Sequence, residues 1–164
     1  MEKMKKYELT TNTIVHNGRT LYQIKALMNF GIIREGDLGG YIESEKNLSQ
    51  EGNAWVYDNA KVCGNAWVCG NAEVCGNAKV YGNAKVCGDY DYTLIKGFGT
   101  EYRNTTFFRC KDGNVRVTCG CFYGTIEEFR EQVKRTRTGK IAEEYLMIAD
   151  LMEFHFREEN TNDM

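Results

Sequence analysis

Residues 52–87 read Gly52-Asn53-Ala54-Trp55-Val56-Tyr57, then DNAKVC, GNAWVC, GNAEVC, GNAKVY and GNAKVC, ending at Cys87. Six six-residue units follow one another with no insertion. A period of six is neither the spacing of a helix nor the plain alternation of a strand. It predicts a parallel β-helix, each unit being one short strand and a corner. Ala and Val, two apart, point to one side of the strand and so inward. Gly and Asn tolerate positive φ and turn the corner. Three units close a triangular coil of 18 residues, so residues i and i+18 stack. The period continues more weakly through Gly40-Tyr41-Ile42 and Lys46-Asn47-Leu48, where Ile42 and Leu48 take the place of Ala. It runs on through Gly88-Asp89-Tyr90-Asp91-Tyr92-Thr93. Residues 40–93 therefore make nine units, or three coils, about 14 Å high at the usual strand spacing.

The flanks read differently. Thr13-Ile14-Val15 and Thr20-Leu21-Tyr22-Gln23-Ile24 surround His16-Asn17-Gly18-Arg19, and Asn-Gly is a strong hairpin signal. Residues 1–39 are expected to cap the N-terminal end of the coils, whose open edge would otherwise invite aggregation. Residues 94–124 form a second β-unit, a hairpin of residues 104–110 and 115–121 turning at Asp112-Gly113. Residues 125–164 read as helical. Thr125-Ile126-Glu127-Glu128 is a capping box, and Ile126, Phe129 and Val133 line one face. Thr138-Gly139 breaks the helix. Ile141, Tyr145, Ile148 and Met152 line a second, to about Phe156, before a polar tail. The expected fold is mainly β with C-terminal α: a short three-coil parallel β-helix with N-terminal hairpin cap, C-terminal β-hairpin and two helices.

Composition excludes several roles. With 21 basic and 23 acidic residues the net charge is −2, which argues against a coat for nucleic-acid polymers. No apolar run reaches the length of a membrane span. The opening Met1-Glu2-Lys3-Met4-Lys5-Lys6 leads into no apolar stretch, so no export signal is expected. Seven cysteines then suggest free thiols in a cytoplasmic protein rather than a disulfide framework. Charge is unevenly placed. Residues 94–124 hold five basic and two acidic residues, a net of +3, while residues 125–164 hold six and ten, a net of −4.

The units resemble those of the left-handed β-helix of the hexapeptide-repeat acyltransferases, in which an aliphatic residue is followed four positions later by a small one. Val56 with Ala60, Val62 with Ala66, Val68 with Ala72, Val74 with Ala78 and Val80 with Ala84 fit. The left hand and a homotrimeric assembly are implied by this resemblance. The chain departs from it at Tyr57, Cys63, Cys69, Cys75, Tyr81 and Cys87, where the enzymes mostly have a small or acidic residue. Taken whole, the chain resembles more specifically a group of uncharacterised hexapeptide-repeat proteins carried by phages and prophages. The resembling stretches are residues 36–44, the Gly-Asn-Ala run, residues 103–109 and Cys119-Gly120-Cys121-Phe122. This second resemblance implies a fold, and a cytoplasmic setting in a bacterial host, but no activity.

Candidate sites each carry two readings. Cys63, Cys69, Cys75 and Cys87 recur because the repeat does, and only Cys69 and Cys87 stack; four converging ligands for zinc are not evident. No metal and no resident cofactor are expected. The acyltransferases use a histidine as general base. Here His16 falls in the cap and His155 on a helix face, so neither lies in a coil. Trp55, Tyr57, Trp67 and Tyr81 are expected on the outside or at corners, as a subunit interface or as stacking platforms for a base. The most suggestive stretch is residues 97–106. Gly97 and Gly99 admit close backbone approach, Arg103 offers a planar fork, and Thr105 and Thr106 add hydroxyls. Arg109 adds a second fork, and Tyr92 or Tyr102 could stack on a base. Strand alternation places Arg103 and Thr105 opposite Asn104 and Thr106, so an ordinary amphipathic hairpin is the competing reading.

Two function classes stay open. One is a non-catalytic binding protein for a small anionic ligand such as a nucleotide, in one version a phage sponge that sequesters a host immune signal. The other is an acyltransferase using coenzyme A. A protein-binding inhibitor using the outer aromatics is a third.

Overall fold

The computed structural model describes residues 4–157. Most of the expected polar tail, residues 158–164, and residues 1–3 lie outside the described residues. Strands β1 (Tyr7–His16) and β2 (Arg19–Ala26) form an antiparallel hairpin. Asn17 and Gly18 close it at φ of 52° and 76°, the two-residue turn whose twist matches its strands. Strand β3 (Leu38–Ile42) pairs antiparallel with β2. The repeat supplies six two-residue strands: β4 (Trp55–Val56), β5 (Lys61–Val62), β6 (Trp67–Val68), β7 (Glu73–Val74), β8 (Lys79–Val80) and β9 (Lys85–Val86). They pair in parallel 18 residues apart: Trp55 with Glu73, Lys61 with Lys79, and Trp67 with Lys85. Every repeat Ala and Val from Ala54 to Val86 is buried in one core with Ile24, Ile42 and Leu48.

The expected three-coil left-handed β-helix is corrected. The chain is mainly β, built of several small sheets, with two C-terminal helices. Strands β4 with β7 and β6 with β9 are isolated two-stranded pairs, whereas β5 and β8 continue a five-stranded mixed sheet in the order β1-β2-β3-β5-β8. The N-terminal hairpin is therefore not an end cap alone but part of a sheet with the repeat. Nor do residues 40–93 make nine equal units. Tyr41 pairs with Lys61, a spacing of 20, because a 3-10 turn at Glu45–Asn47 interrupts the period. At the other end a 3-10 turn at Asp89–Asp91 takes the chain out of the repeat.

Side chains seal the open edges. At the start, the buried Lys6 amine donates to Ala54 O at 2.7 Å and Gly52 O at 3.3 Å. Burial pushes its pKa down to about 8. The Tyr7 hydroxyl donates to Leu48 O at 2.6 Å. At the far end Asp89 Oδ1 accepts from Glu73 N at 2.8 Å, and Asp91 Oδ2 from Cys87 N at 2.9 Å. Such partners replace the missing next strand, since an unpaired buried backbone group is costly.

The expected C-terminal hairpin is half of a larger unit. Strands β10 (Tyr92–Phe98), β11 (Arg103–Arg109), β12 (Val115–Cys119) and β13 (Phe122–Thr125) form a four-stranded antiparallel sheet. The extra strands arise because residues 92–98, partly assigned to the repeat, pair with β11 from Tyr92 opposite Phe108. Helix α1 (Ile126–Thr136) starts at a capping box in which Thr125 and Glu128 satisfy each other's backbone. Helix α2 (Gly139–Phe156) follows directly. The sheet is a shared wall. Tyr92, Leu94 and Phe108 face the repeat core. Phe107, Val117, Phe98 and Phe122 face a second core with Phe129, Val133, Tyr145 and Met152 of the helices. Among the described residues no helix is long and apolar enough to cross a membrane.

Candidate functional site

The second core does not close completely. The turn from β10 to β11, the turn from β12 to β13, the end of α1 and Tyr145 enclose a cleft of about 150 Å³. Phe98, Phe122, Phe129 and Val133 give it an apolar floor. Arg103, Glu101, Gln132 and Arg137 give it a polar mouth.

Local structure explains how the arginines arrive. Arg103 opens β11 on the helix-facing side, the side of Phe107. Its guanidinium lies over Gly120, where an added Cβ would stand 2.6 Å from Nη1. Gly120 also has φ +59°, so the β12–β13 turn needs glycine twice over. Arg103 is ion-paired with Glu101. Arg137 is the C-cap of α1, its N–H donating to Val133 O at 2.8 Å. A basic residue there also suits the negative end of the helix. Burial pushes the Tyr145 hydroxyl up, and the neighbouring Cys119 adds to this; the Arg137 and Arg103 charges act the other way. Both guanidinium groups thus act on one phenol. Gly99, at φ +80°, makes room for that phenol: an added Cβ would meet the Tyr145 oxygen at 2.6 Å.

The other expected ligand residues are placed elsewhere. Gly97, at φ +100°, bends β10 where its register with β11 breaks. Gly99 is approached by Tyr145 from the same chain. Thr105 is buried and donates to Cys119 Sγ at 3.2 Å. Thr106 is buried on the opposite face and accepts from Lys79 N at 3.2 Å, while Thr118 donates to Lys79 O at 2.9 Å. These two hydroxyls complete the backbone edge of β8. The Tyr92 hydroxyl donates to Glu73 O and accepts from Cys75 N at 3.3 Å. Arg109 pairs with Asp91 at 3.2 Å and donates to Phe156 O at 3.1 Å, holding the end of α2. Tyr102 is exposed at φ +53°, beside Arg103. Of the expected set, Arg103 lines the cleft, with Gly99 and Tyr102 beside it.

The four outer aromatics also divide. Trp55 is corrected from an exposed to a buried residue, 1% exposed, with Tyr7 and Phe30 at ring distances of 6.2 and 5.3 Å. Tyr81 stacks on Tyr123 of β13 at 5.3 Å. Tyr57 packs partly against the repeat core. Trp67 is half-buried beside Lys85. The free-thiol reading is corrected for one pair: Cys69 and Cys87 are disulfide-bonded, with Cα atoms 4.3 Å apart. Cys63, Cys75, Cys110, Cys119 and Cys121 are free. Among the described residues no group of three or more metal-ligating side chains converges. His16 lies by Tyr81 and His155 by Phe156, both away from the cleft.

Gln132, Arg137 and Tyr145 carry no ligand signature in the sequence, where their helices show only a packing pattern. The one available signal was the basic Arg137 next to the Thr138-Gly139 break, which puts a cation at a helix end. No protein-family model and no curated protein matches the chain.

Proposed function

We propose that the protein binds a small anionic ligand without transforming it, seated between Arg103 and Arg137. The observation that carries this reading is the pair of guanidinium forks at the mouth of an aromatic-floored cleft. Planar forks match the oxygens of carboxylate and phosphate. The Gln132 amide adds a donor, and Phe98 and Phe129 accept the apolar part. At about 150 Å³ the cleft is below the roughly 300–1,000 Å³ of sites for drug-sized ligands. It therefore fits one anionic group on a short body. A nucleotide would enter by its phosphate, with its base outside toward Tyr102. Sequestration of such a signal in a phage-infected host is the version that the phage-protein resemblance favours.

Glu101 competes for Arg103, so removing its charge should help an incoming anion. Calorimetry with inorganic phosphate, short carboxylates and mononucleotides tests the reading. Arg103→Ala and Arg137→Ala should each weaken the best binder about ten- to a hundredfold, the weight of a charge-assisted contact. Glu101→Gln should tighten it severalfold. If both alanine variants bind as the parent does, the cleft is not the site.

A further inference from the structure

A second place in the molecule concentrates positive charge, and it lies on the repeat rather than in the cleft. Lys46, Asn65, Trp67, Lys85 and Lys111 line an open groove of about 470 Å³. None of the five is acidic, although the whole chain carries a net charge of −2.

The residues arrive from separate elements, and their backbones are fixed. Trp67 sits in β6 directly opposite Lys85 of β9, its N–H donating to Ala84 O at 2.9 Å. Lys46 lies in the 3-10 turn Glu45–Asn47. That turn is pinned by Asn47, whose amide donates to Gly64 O at 3.2 Å and Ala66 O at 2.9 Å. Lys111 enters from the loop after β11. Its N–H donates to Asn83 O at 2.9 Å and its amine to Asn65 O at 2.8 Å. Glu45, the carboxylate next to Lys46, is paired with Lys5 at 2.8 Å. Lys46, Lys85 and Lys111 have no ion-pair partner among the described residues. Three lysines and one half-buried indole thus line one groove, and the carboxylates next to two of them in sequence, Glu45 and Asp112, are paired with Lys5 and Arg116.

An indole face takes a flat aromatic group by stacking, and lysines take phosphate oxygens as point charges. The groove volume lies within the range for ligands of nucleotide size, which the cleft does not reach. We propose that this groove binds a free nucleoside polyphosphate, its base on Trp67 and its phosphates between Lys46, Lys85 and Lys111. The inference stands independently of the cleft. A free nucleotide rather than a nucleic-acid polymer is favoured because the surrounding chain is net acidic, whereas polymer binding rests on an extended basic track.

The test is a titration of the full chain with adenosine triphosphate, followed by tryptophan fluorescence and calorimetry. Trp55 is buried, so quenching by a ligand at the surface reports Trp67. Parallel arms use inorganic triphosphate, adenosine and a single-stranded oligothymidylate. Adenosine triphosphate should quench and bind tighter than about 1 mM. Adenosine and triphosphate alone should each bind at least about tenfold more weakly, since each keeps one half of the contacts. Lys85→Ala and Lys46→Ala, both at exposed positions, should weaken it several- to about tenfold, while Lys134→Ala, exposed on α1 and outside the groove, leaves it unchanged. Trp67→Leu should abolish the quench and the calorimetric heat, with retention of fold checked by circular dichroism. Equal affinity for triphosphate and the nucleotide, insensitivity to both lysine variants, or tighter binding of the oligothymidylate would overturn the proposal. Loss of nucleotide binding in Arg103→Ala would assign the nucleotide to the cleft instead.

Discussion

Thr106 has the hydroxyl that orients a phosphate, yet in the fold it accepts from the N–H of Lys79. Thr118 takes the carbonyl of the same residue. Read in sequence, a threonine beside arginines suggests a ligand; in the structure it stands in for a missing strand. Local alternation already separated Thr105 from Thr106, and that much was legible. Which face met the repeat was not, because it depends on a contact 27 residues away. The cysteines show the same limit. Stacking at 18 residues singled out Cys69 and Cys87, but the odd count of seven cysteines pointed to free thiols, and the structure joins the pair. Cys63 and Cys110 are buried, and burial pushes both thiols up to about 11. A thiol so raised is a poor nucleophile at neutral pH. In the native protein, exposed Cys75 and Cys121 should therefore react first with a thiol reagent, and Cys63 and Cys110 only on unfolding. In denaturant without reductant the five free thiols should titrate, and prior reduction should raise the number to the full seven. Recovery of seven without reductant would show that the Cys69–Cys87 bond does not form in solution.

Elements with a local signature were the most legible. Asn17-Gly18 marks the β1–β2 turn, Thr125 with Glu128 marks the start of α1, and Thr138 before Gly139, at φ +63°, marks the start of α2. Each rests on chemistry within four residues. The four-stranded sheet was half hidden, because residues 92–93 satisfy the period of the repeat and the pairing of β10 equally well. Where the hairpin end meets the repeat, a pH response follows. His16, at the end of β1, has its ring 6.4 Å from that of Tyr81. Burial, then the charges of Lys79 in β8 and Lys61 in β5, hold its pKa below the usual value. The folded state therefore prefers the neutral imidazole. The unfolded chain takes up the proton first as pH falls, so the stability from this group is present above about pH 6.5 and lost below it. Between pH 7.5 and 5.5 the thermal midpoint should drop by a few degrees at most, since the ring is partly solvated. His16→Gln should flatten that slope relative to the parent when both are followed by circular dichroism. An identical slope in the two would assign the acid sensitivity to other groups.

The whole molecule is two cores divided by one sheet. Phe107 and Phe108 are neighbours in β11, both with 0% exposure, but Phe107 belongs to the helical core and Phe108 to the repeat core. The Arg103 cleft depends on the helical core and the Trp67 groove on the repeat core, so the sheet determines whether the two sites communicate. Truncating a buried phenylalanine to alanine removes about 3–5 kcal/mol in either place. If the sheet merely separates two units, the losses stay local, because regions open with free energies set by their own packing. Phe107→Ala should then raise amide hydrogen exchange across residues 126–156, where Phe129 loses the ring it meets at 5.9 Å. Phe108→Ala should raise it across the repeat, where Tyr92 and the Ala–Val core lose a neighbour. Exchange measured by mass spectrometry on both variants at one temperature decides the matter. Local and different patterns would mean that anion occupancy of the cleft leaves the groove unaffected. A uniform rise in both variants would mean that the sheet transmits stability as one cooperative unit, and a ligand in either site would then protect the other.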